Sequence, residues 1–405
     1  MNILVISFHI PMHDRSGGGK RFHSILGILA SEYSVYLHAF DLDGQVELYS
    51  QATVDDYRRQ LHVLGVNCTS GKRPNLITML RDMRFDVVLF EHFASALSLL
   101  ESVRLWQPNA VAIVDSVDVV FQRLFSKARL TQSPDDFRIA EQTKINELDI
   151  YNRADVVLAV SPAEKDILKK EIPTLIIETV PLVFPVRPMR DLPRKSRDRL
   201  VFIADFQHDA NVDGIVYFCN EILPLILGVN GNINLQIVGG YPPDKVKRLA
   251  GSNVEVLGYV KDIGKIYENS DIAIAPMRYG GGIKGKIAEA IAFGLPVVTN
   301  SISLKGFDLM PGEEILLGDT PNEFSDSVIR LLTDDGLCQK IKYNAWEHIK
   351  LNYSEDAVGI KLFGLISKVH EYPIKRLPLN GRIMLKLRYY LERHVLWRFR
   401  NELDY

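Results

Sequence analysis

The chain contains few cysteines and no excess of charge of either sign. Its 405 residues include three cysteines, 48 lysines and arginines, and 50 aspartates and glutamates, so its net charge is −2. Cys68, Cys219 and Cys338 are too widely separated to predict a disulfide framework or a zinc site. Their scarcity fits a reducing compartment, so we expect a cytoplasmic protein. The near-neutral charge gives no sign of a nucleic-acid partner, and we predict none.

Long apolar runs are also absent. No run reaches the roughly 20 residues of a membrane-spanning helix, so we predict no such helix. The N-terminal run, residues 3–10, lacks a basic flank and is too short for a secretory signal, so we expect a first β-strand there. With 47% apolar and 24% charged residues, the chain is typical of a soluble globular protein long enough for two domains.

Short apolar segments alternate with helical patterns along most of the chain. Strands buried on both faces, separated by helices, predict α/β domains with parallel sheets and ligands at the carboxyl ends of the strands. A polar stretch before residue 135 predicts no regular element. Residues 181–199 hold four prolines and six basic residues, which is typical of an extended linker. The predicted units are two domains (1–185 and 200–352), a linker (186–199), a returning helix (353–374) and a tail (375–405).

The most informative stretch is residues 279–298. It predicts a strand end, a glycine loop, a short helix and a second strand. Glycines let the backbone approach a ligand closely, and the helix N-terminus offers free N–H groups and a positive dipole end. Lysines are unfavourable at that end, so Lys284 and Lys286 in the first turn indicate an anionic ligand, with phosphate the leading candidate. A flexible loop with solvated lysines is the alternative.

This stretch resembles the donor-site segment of retaining GT-B glycosyltransferases, of the family 4-like (group 1) type. The family's usual segment has a glutamate, a second glutamate eight positions later, and a Gly-x-Pro-Val-Val ending. Glu289 matches the second glutamate and residues 292–298 match the ending, whereas Gly281 replaces the first glutamate. Bacterial members with a "GGGxKxK" loop share this departure. The resemblance implies two Rossmann-like α/β domains facing across a cleft, with a basic helical tail added in this chain.

The resemblance also implies a donor site for a nucleotide diphosphate sugar. Glu289 would accept hydrogen bonds from the ribose hydroxyls, and the backbone after Gly258 would contact the base. A second glycine loop, after the first strand, would reach the diphosphate. The predicted donor-binding residues are Gly18, Gly19, Tyr259, Val260, Gly281, Gly282, Ile283, Lys284, Lys286 and Glu289. For Glu289 the alternative is a surface glutamate, and for the first loop it is ordinary loop glycines.

Many family members bind the diphosphate with an arginine and a lysine early in the second domain. This chain has Asp205, His208 and Asn211 there instead. We hypothesise that Lys284 and Lys286 supply the missing positive charge. The resemblance implies no metal site and no cofactor beyond the substrate itself.

Polar residues at the carboxyl ends of the first domain's strands are candidates for the acceptor side. Two carboxylates three residues apart can orient a hydroxyl or act as a base. They stand where the family often has a histidine–aspartate pair. The predicted catalytic residues are His9, Asp115 and Asp118, and the predicted acceptor-side residues are His13, Glu91 and His92. The alternative for the two aspartates is a turn cap and a solvated carboxylate.

The tail, residues 375–405, is basic and amphipathic. It has eight lysines or arginines against three acids, so it carries +5 while the rest of the chain sums to −7. Apolar residues recur every fourth position from Ile383 to Phe399, as in an interfacial helix. We predict peripheral contact with the inner face of a membrane. Packing on the domain or on a partner subunit is the alternative.

We therefore predict a metal-independent glycosyltransferase that moves a sugar, with retention, to a hydroxyl of a glycan, polysaccharide or lipid-linked acceptor in cell-envelope biosynthesis. Two alternatives stay open. A GT-B epimerase would bind the same nucleotide sugar and release a modified one. A non-catalytic binding protein would keep a degenerate donor pocket.

Overall fold

The structure is a computed structural model that describes residues 1–71, 73–189, 198–279 and 284–391. Three predicted donor-binding residues, Gly281, Gly282 and Ile283, lie outside the described residues. So do most of the predicted linker and the end of the predicted tail, residues 392–405.

The first part of the chain forms a seven-stranded parallel sheet in the order β3-β2-β1-β4-β5-β6-β7. Its strands are β1 (Asn2–Ser7), β2 (Ser34–Ala39), β3 (Asn67–Ser70), β4 (Val87–Glu91), β5 (Val111–Asp115), β6 (Val156–Ala159) and β7 (Ile177–Thr179). Its helices are α1 (Gly17–Ala30), α2 (Leu42–Tyr49), α3 (Gln51–Val63), α4 (Arg73–Asp82), α5 (Phe93–Trp106), α6 (Val120–Thr131), α7 (Pro134–Arg153) and α8 (Pro162–Glu171). The central strands β1, β4 and β5 are apolar apart from polar residues at their ends, because core clusters cover both faces of the sheet.

The second part forms a six-stranded parallel sheet in the order β10-β9-β8-β11-β12-β13. Its strands are β8 (Arg199–Ile203), β9 (Asn234–Val238), β10 (Val254–Gly258), β11 (Ile272–Ala275), β12 (Val297–Thr299) and β13 (Leu316–Leu317). Its helices are α9 (Asp209–Tyr217), α10 (Leu223–Val229), α11 (Asp244–Lys247), α12 (Ile263–Glu268), α13 (Gly285–Ala292), α14 (Ser301–Leu304), α15 (Pro321–Thr333) and α16 (Asp335–Tyr353). A π-helical segment, Phe218–Ile222, joins α9 to α10.

Each sheet has a switch point where the strand order reverses, between β1 and β4 in the first and between β8 and β11 in the second. Open α/β sheets bind ligands in the crevice at the carboxyl ends of such strands. Helix α1 follows β1, and helix α13 follows β11. The two glycine-rich segments singled out in the sequence therefore lie at the two switch points.

Two chain segments cross between the sheets. The backbone N–H of Phe184 donates to the carbonyl of Tyr353 (2.9 Å) where the outgoing and returning chains pass each other. Helix α17 (Glu355–Ser367) and a 3₁₀ turn (Val369–Glu371) then follow. Buried residues of α17 join the core cluster of the first sheet, and the helix packs against α1. The end of the chain thus completes the first sheet's core.

One long helix meets the length and hydropathy test for a membrane span, although no single apolar run in the sequence does. In the described part of the chain, Asp209–Val229 is a single helix of 21 residues with a mean hydropathy of 1.6, long and apolar enough to cross a membrane. The sequence rule missed it because polar residues interrupt the run. A buried core helix passes the same test, and Ile215, Phe218 and Ile222 lie fully buried in the second sheet's core.

Helix α18 (Leu379–Leu391) begins the predicted tail. It contacts the first domain through Tyr389, whose ring lies 5.6 Å from that of Trp106 at the end of α5. Much of its apolar surface is exposed: Leu379, Ile383, Met384, Leu387, Tyr390 and Leu391. The structure thus confirms a helix here and leaves its apolar side open over the described residues.

The sequence missed several elements of the first domain. Strand β3 is a polar edge strand, so it lacks the alternating apolar signal of a half-buried strand. Helix α6 occupies part of the polar stretch that we expected to be irregular, and it packs against α7. Only a narrow apolar side, including Phe121 and Ala128, is buried, so tertiary packing rather than composition sets this helix.

We predict that the contact of α17 with the first sheet contributes strongly to stability. Leu362 is 2% exposed, and Leu362→Ala should lower the free energy of unfolding by about 2–4 kcal/mol, because it leaves a cavity in a packed core. Ile360, on the same helix, is 74% exposed, and Ile360→Ala should change it by less than about 0.5 kcal/mol. Urea unfolding of both variants measures the difference. Equal effects would show that α17 does not pack as described.

Candidate functional site

The first turn of α13 holds two desolvated lysines. The ammonium of Lys286 donates to the side-chain oxygen of Asn211, lies 3.5 Å from the sulfur of Met277 and sits 4.5 Å from the centroid of the Phe202 ring. Burial, with a smaller contribution from Lys284, lowers the pKa of Lys286 to about 7. An anion bound beside Lys286 would favour its protonated form and so restore the positive charge that burial disfavours.

Lys284 lies closer to the first domain. Burial lowers its pKa to about 8, and the carboxylates of Asp118 and Glu164 oppose that shift. Both carboxylates belong to the first domain, in the turn after β5 and in the first turn of α8. The lysine therefore experiences charges from both sides of the cleft. The burial of Lys284 does not fit the alternative of a solvated lysine on a flexible loop.

Glu289 lies one turn further into α13, and both of its oxygens have partners. One accepts a hydrogen bond from the Lys20 ammonium of α1, and the other accepts from the hydroxyl of Tyr267 (3.2 Å). The Tyr267 ring stacks on Phe293 with centroids 4.8 Å apart, which fixes the hydroxyl. The Glu289 side chain is 13% exposed, so the alternative of a surface glutamate is wrong.

The glycines expected in a loop after β1 form the first turn of α1. Ser16 caps the helix by accepting from the N–H of Gly19 (3.0 Å). A Cβ on Gly19 would lie 2.6 Å from the carbonyl oxygen of Met12, so only glycine fits there. Gly18 is less constrained, because its Cβ would only touch Val117 at 4.0 Å. Close packing explains Gly19 better than loop flexibility does.

Tyr259 links the two domains through its side chain. Its hydroxyl donates to Asp14 (2.7 Å), and the Arg15 guanidinium lies 4.1 Å from its ring centroid. The hydroxyl of Tyr57 donates to the other oxygen of Asp14, so burial and two tyrosines surround this carboxylate. Val260, which follows Tyr259, is half-buried. The predicted contact of this backbone with a nucleotide base stays a prediction.

Asp115 lies buried beneath the cleft surface rather than in it. Its carboxylate accepts from the guanidinium of Arg21, which also donates to the carbonyls of Val180 (2.9 Å) and Pro181 (3.3 Å). This position suits a structural contact better than contact with a substrate hydroxyl. Glu91 pairs with Asp115 across β4 and β5, and burial together with the Asp115 charge raises the pKa of Glu91 to about 8.

Asp118 and His92 lie at the cleft edge of the same two strands. Asp118 is 22% exposed and accepts from Nε of Arg123 (2.7 Å). Burial lowers the pKa of His92, and the Asp118 charge opposes that shift. His92 has φ +67° and Val117 has φ +61°, both rare for residues with a side chain and costly for a β-branched one. Strain of this kind clusters at functional sites.

The other two histidines predicted for the site, His9 and His13, lie elsewhere along the carboxyl edge of the first sheet. Nε2 of His9 is 3.2 Å from the carboxylate of Asp41 after β2, on the other side of β1 from Asp115 and Asp118. His13 packs its ring 4.9 Å from that of His23, and its Nδ1 is buried without a partner among the described residues. The structure therefore does not bring His9 together with the two predicted catalytic aspartates.

No group of three or more His, Cys, Asp or Glu side chains in the described ranges is arranged to hold a metal ion. Asp41-Leu42-Asp43 does have the Asp-x-Asp spacing of some glycosyltransferase metal sites, although we expected no such site. In the structure this segment starts α2, and Asp41 faces His9.

Sequence reasoning missed several residues of the site. Lys20, Arg21 and Tyr267 contact predicted site residues, and none of the three was predicted. Lys20 had a usable signal, because it is a lysine in the first turn of a glycine-started helix, as Lys286 is. Arg21 and Tyr267 had none, because their partners are distant in sequence.

The chain resembles known proteins in its second domain most clearly. Residues 197–334 match the family model described as glycosyl transferases group 1. An uncharacterized 44.6 kDa protein in the cps region of Klebsiella pneumoniae is 25% identical over 230 residues. That alignment covers 54% of this chain and 58% of the relative, so it spans little more than half of that protein.

Two solved structures share the fold over nearly the whole chain. Sucrose-phosphate synthase from Thermosynechococcus elongatus has a TM-score of 0.68 at 14% identity, over 92% of this chain and 100% of that one. The Anabaena protein Alr3699/HepE, in complex with UDP and glucose, has a TM-score of 0.65 at 13% identity, over 90% and 99%. At these identities the likeness shows the fold alone, and it confirms the predicted GT-B α/β class.

We predict that the buried charge of Lys286 makes stability depend on pH. Folding lowers its pKa from 10.5 to about 7, so between these values the unfolded chain holds a proton that the folded protein has released. The free energy of unfolding should therefore rise with pH in this window, and Lys286→Met should remove that part of the rise. Urea unfolding near neutral pH and in mildly alkaline buffer measures it.

The matched control is Lys247→Met, at a 60% exposed side chain on α11. This variant should keep the pH dependence of the parent protein. If the stability difference between parent and Lys286→Met is the same at both pH values, Lys286 is not desolvated as described.

Proposed function

We propose that this chain, a member of the group 1 glycosyltransferases with the GT-B fold, transfers a sugar from a nucleotide diphosphate sugar to a hydroxyl acceptor with retention. The observation that carries the proposal is the cleft itself. The N-termini of α1 and α13 each present a lysine in the first turn, and Lys20 reaches Glu289 across the cleft. This arrangement suits an anionic ligand bound between the two domains.

Glu289 would bind the donor's ribose. A carboxylate has two acceptor oxygens and matches a pair of neighbouring hydroxyls. The diphosphate would then lie at the first turn of α13, next to Lys284 and Lys286. These charges stand in for the arginine and lysine that Asp205, His208 and Asn211 replace, and Asn211 supports the role by holding the Lys286 ammonium.

Transfer requires the bond between the anomeric carbon and the diphosphate oxygen to break. The diphosphate leaves with the electron pair, and the helix N–H groups and lysines stabilise the developing charge. With retention, the acceptor hydroxyl forms its new bond on the face from which the diphosphate departs. Its proton passes to the departing phosphate oxygen or to a base at the β4–β5 edge, where Asp118 and His92 lie. Closure of the domains excludes water.

The acceptor that we propose is a hydroxyl of a cell-envelope polysaccharide or a lipid-linked glycan. The support is that a relative is encoded in a cps region, and that the Anabaena protein of the same fold binds UDP and glucose. The transfer would need no metal ion, since the lysines and the helix N-terminus supply the positive charge.

We predict that nucleotide diphosphate sugars stabilise the protein and that Glu289→Ala and Lys284→Ala weaken this effect. A donor at a hundred times its dissociation constant adds about 2.7 kcal/mol, which raises the melting temperature by several degrees. A thermal-shift screen of UDP-, GDP-, ADP- and dTDP-sugars identifies the donor.

A transfer assay with the selected donor then separates the possible activities. Sugar transfer to a glycan acceptor, with the product's anomeric configuration read by NMR, supports the proposal. Conversion of the donor sugar without an acceptor would indicate an epimerase. Binding without turnover would indicate a non-catalytic protein, and no stabilisation by any donor would contradict the donor site itself.

We further propose that α18 contacts an anionic lipid surface. Residues 375–391 contain five lysines or arginines and no acid, whereas residues 1–374 sum to −7. The exposed apolar side chains of α18 lie on the same short helix as Arg382, Lys386 and Arg388. Apolar side chains among basic ones are typical of interfacial helices, and each basic residue near an anionic surface adds about 1 kcal/mol.

We predict that the protein sediments with phosphatidylglycerol vesicles and not with pure phosphatidylcholine vesicles. The double variant Ile383→Asp, Leu387→Asp should abolish sedimentation, and high salt should weaken it. Leu351→Asp is the control, because Leu351 is similarly exposed on α16. Equal sedimentation of the double variant and the control would assign α18 to a protein contact.

A further inference from the structure

Lys20 occupies an unusual position. It lies in the first turn of α1, where the helix dipole disfavours a cation, and its side chain is 21% exposed. Its ammonium donates to a Glu289 oxygen from the opposite domain, 269 residues away in sequence. The first domain thus places a positive charge directly on the carboxylate that forms the centre of the proposed donor site.

This contact competes with the role proposed for Glu289. One Glu289 oxygen is bound by Lys20 and the other by Tyr267. Each oxygen can accept a second hydrogen bond, so the competition is for space: Lys20 reaches Glu289 from across the cleft, the side from which a ribose diol would also approach. Tyr267 is fixed by stacking and burial, whereas Lys20 has a long flexible stem, so Lys20 is the partner that leaves.

A displaced Lys20 needs a new anion. Burial lowers its pKa to about 8, and the charge of Asp14 opposes that shift. Asp14 already accepts from the hydroxyls of Tyr57 and Tyr259, so it would pair poorly with a displaced Lys20, and a poorly paired buried charge is costly. The donor carries an anion of its own, because its diphosphate is attached to the ribose that would displace Lys20. The open space beside Gly17 gives that end of α1 room for a ligand, because a Cβ there would meet nothing within 4 Å.

We propose that Lys20 is a diphosphate-binding residue that exchanges partners: it neutralises Glu289 in the empty cleft and binds the donor's diphosphate once ribose hydroxyls occupy Glu289. The inference rests on the proposed function and deepens it. Lys20 would supply, from the first domain, part of the positive charge that the second domain lacks. The diphosphate would therefore be fully bound only when the two domains are closed.

The experiment compares Lys20→Gln with the parent protein. Affinities are measured by calorimetry for UDP, GDP, ADP and dTDP, and for the nucleoside of whichever binds most tightly. A charge-assisted hydrogen bond contributes about 1.5–3 kcal/mol, so Lys20→Gln should weaken diphosphate binding about tenfold or more. Nucleoside binding should stay the same or tighten, because the ribose no longer competes with Lys20 for Glu289.

Two further variants complete the design. Lys20→Arg keeps the charge and should retain diphosphate affinity better than Lys20→Gln. Lys127→Gln is the matched control, since Lys127 forms a different ion pair between the domains, 3.5 Å from Asp209, and should leave both affinities unchanged.

The outcomes are distinct. An equal loss of nucleoside and diphosphate binding in Lys20→Gln would assign Lys20 a structural role and overturn the inference. Unchanged diphosphate binding in that variant would overturn it too, and the proposed function would stand. Failure of the parent protein to bind any of the four diphosphates would overturn the proposed function as well.

Discussion

The buried contact between Arg21 and Asp115 fixes the first domain's side of the cleft. The Arg21 guanidinium joins α1 to the end of β5 and, through two backbone carbonyls, to the chain that leaves the sheet after β7. Breaking such a pair leaves an uncompensated buried charge, so α1 cannot shift without a large cost. Lys20 is the residue before Arg21. Its approach to Glu289 therefore depends on an ion pair that lies outside the proposed donor site.

The second domain's side of the cleft depends on a different constraint, a local excess of buried positive charge. Lys284 and Lys286 lie at a helix end that already carries a partial positive charge, and burial depresses both pKa values. The empty site is thus electrostatically unfavourable, and an anion relieves it. In the proposed reaction, this loss of stability would place the charges before the diphosphate develops its own charge, which is how preorganised sites stabilise a leaving group.

How far the sequence predicts this site depends on the range of the interactions. The strand–glycine–helix pattern around α13 is local, so an α/β fold and lysines facing an anion follow from the residues themselves, whereas the GT-B class and the role of Glu289 come from the resemblance to the glycosyltransferase segment. Helix α6 and strand β3 were missed because packing, not an apolar pattern, determines them. The contacts of Arg21 with Asp115 and of Lys20 with Glu289 join residues 94 and 269 positions apart. No periodicity encodes such pairs, and Asp115 therefore gave the same signal as Asp118 although only Asp118 reaches the cleft.

The predicted acceptor side also depends on tertiary contacts that no sequence pattern encodes. Its candidates meet only because β4 and β5 are neighbours, and the backbone there is strained at His92 and Val117. A β-branched residue at positive φ persists only where its surroundings leave no alternative. Here the turn is held by Arg21 on Asp115 and by Arg123 on Asp118, one on each side of Val117. Asp118 follows this strained turn, and its charge acts on Lys284 of the other domain, where it opposes the lowering of the Lys284 pKa. Acceptor recognition would thus rest on a backbone conformation set by two arginines.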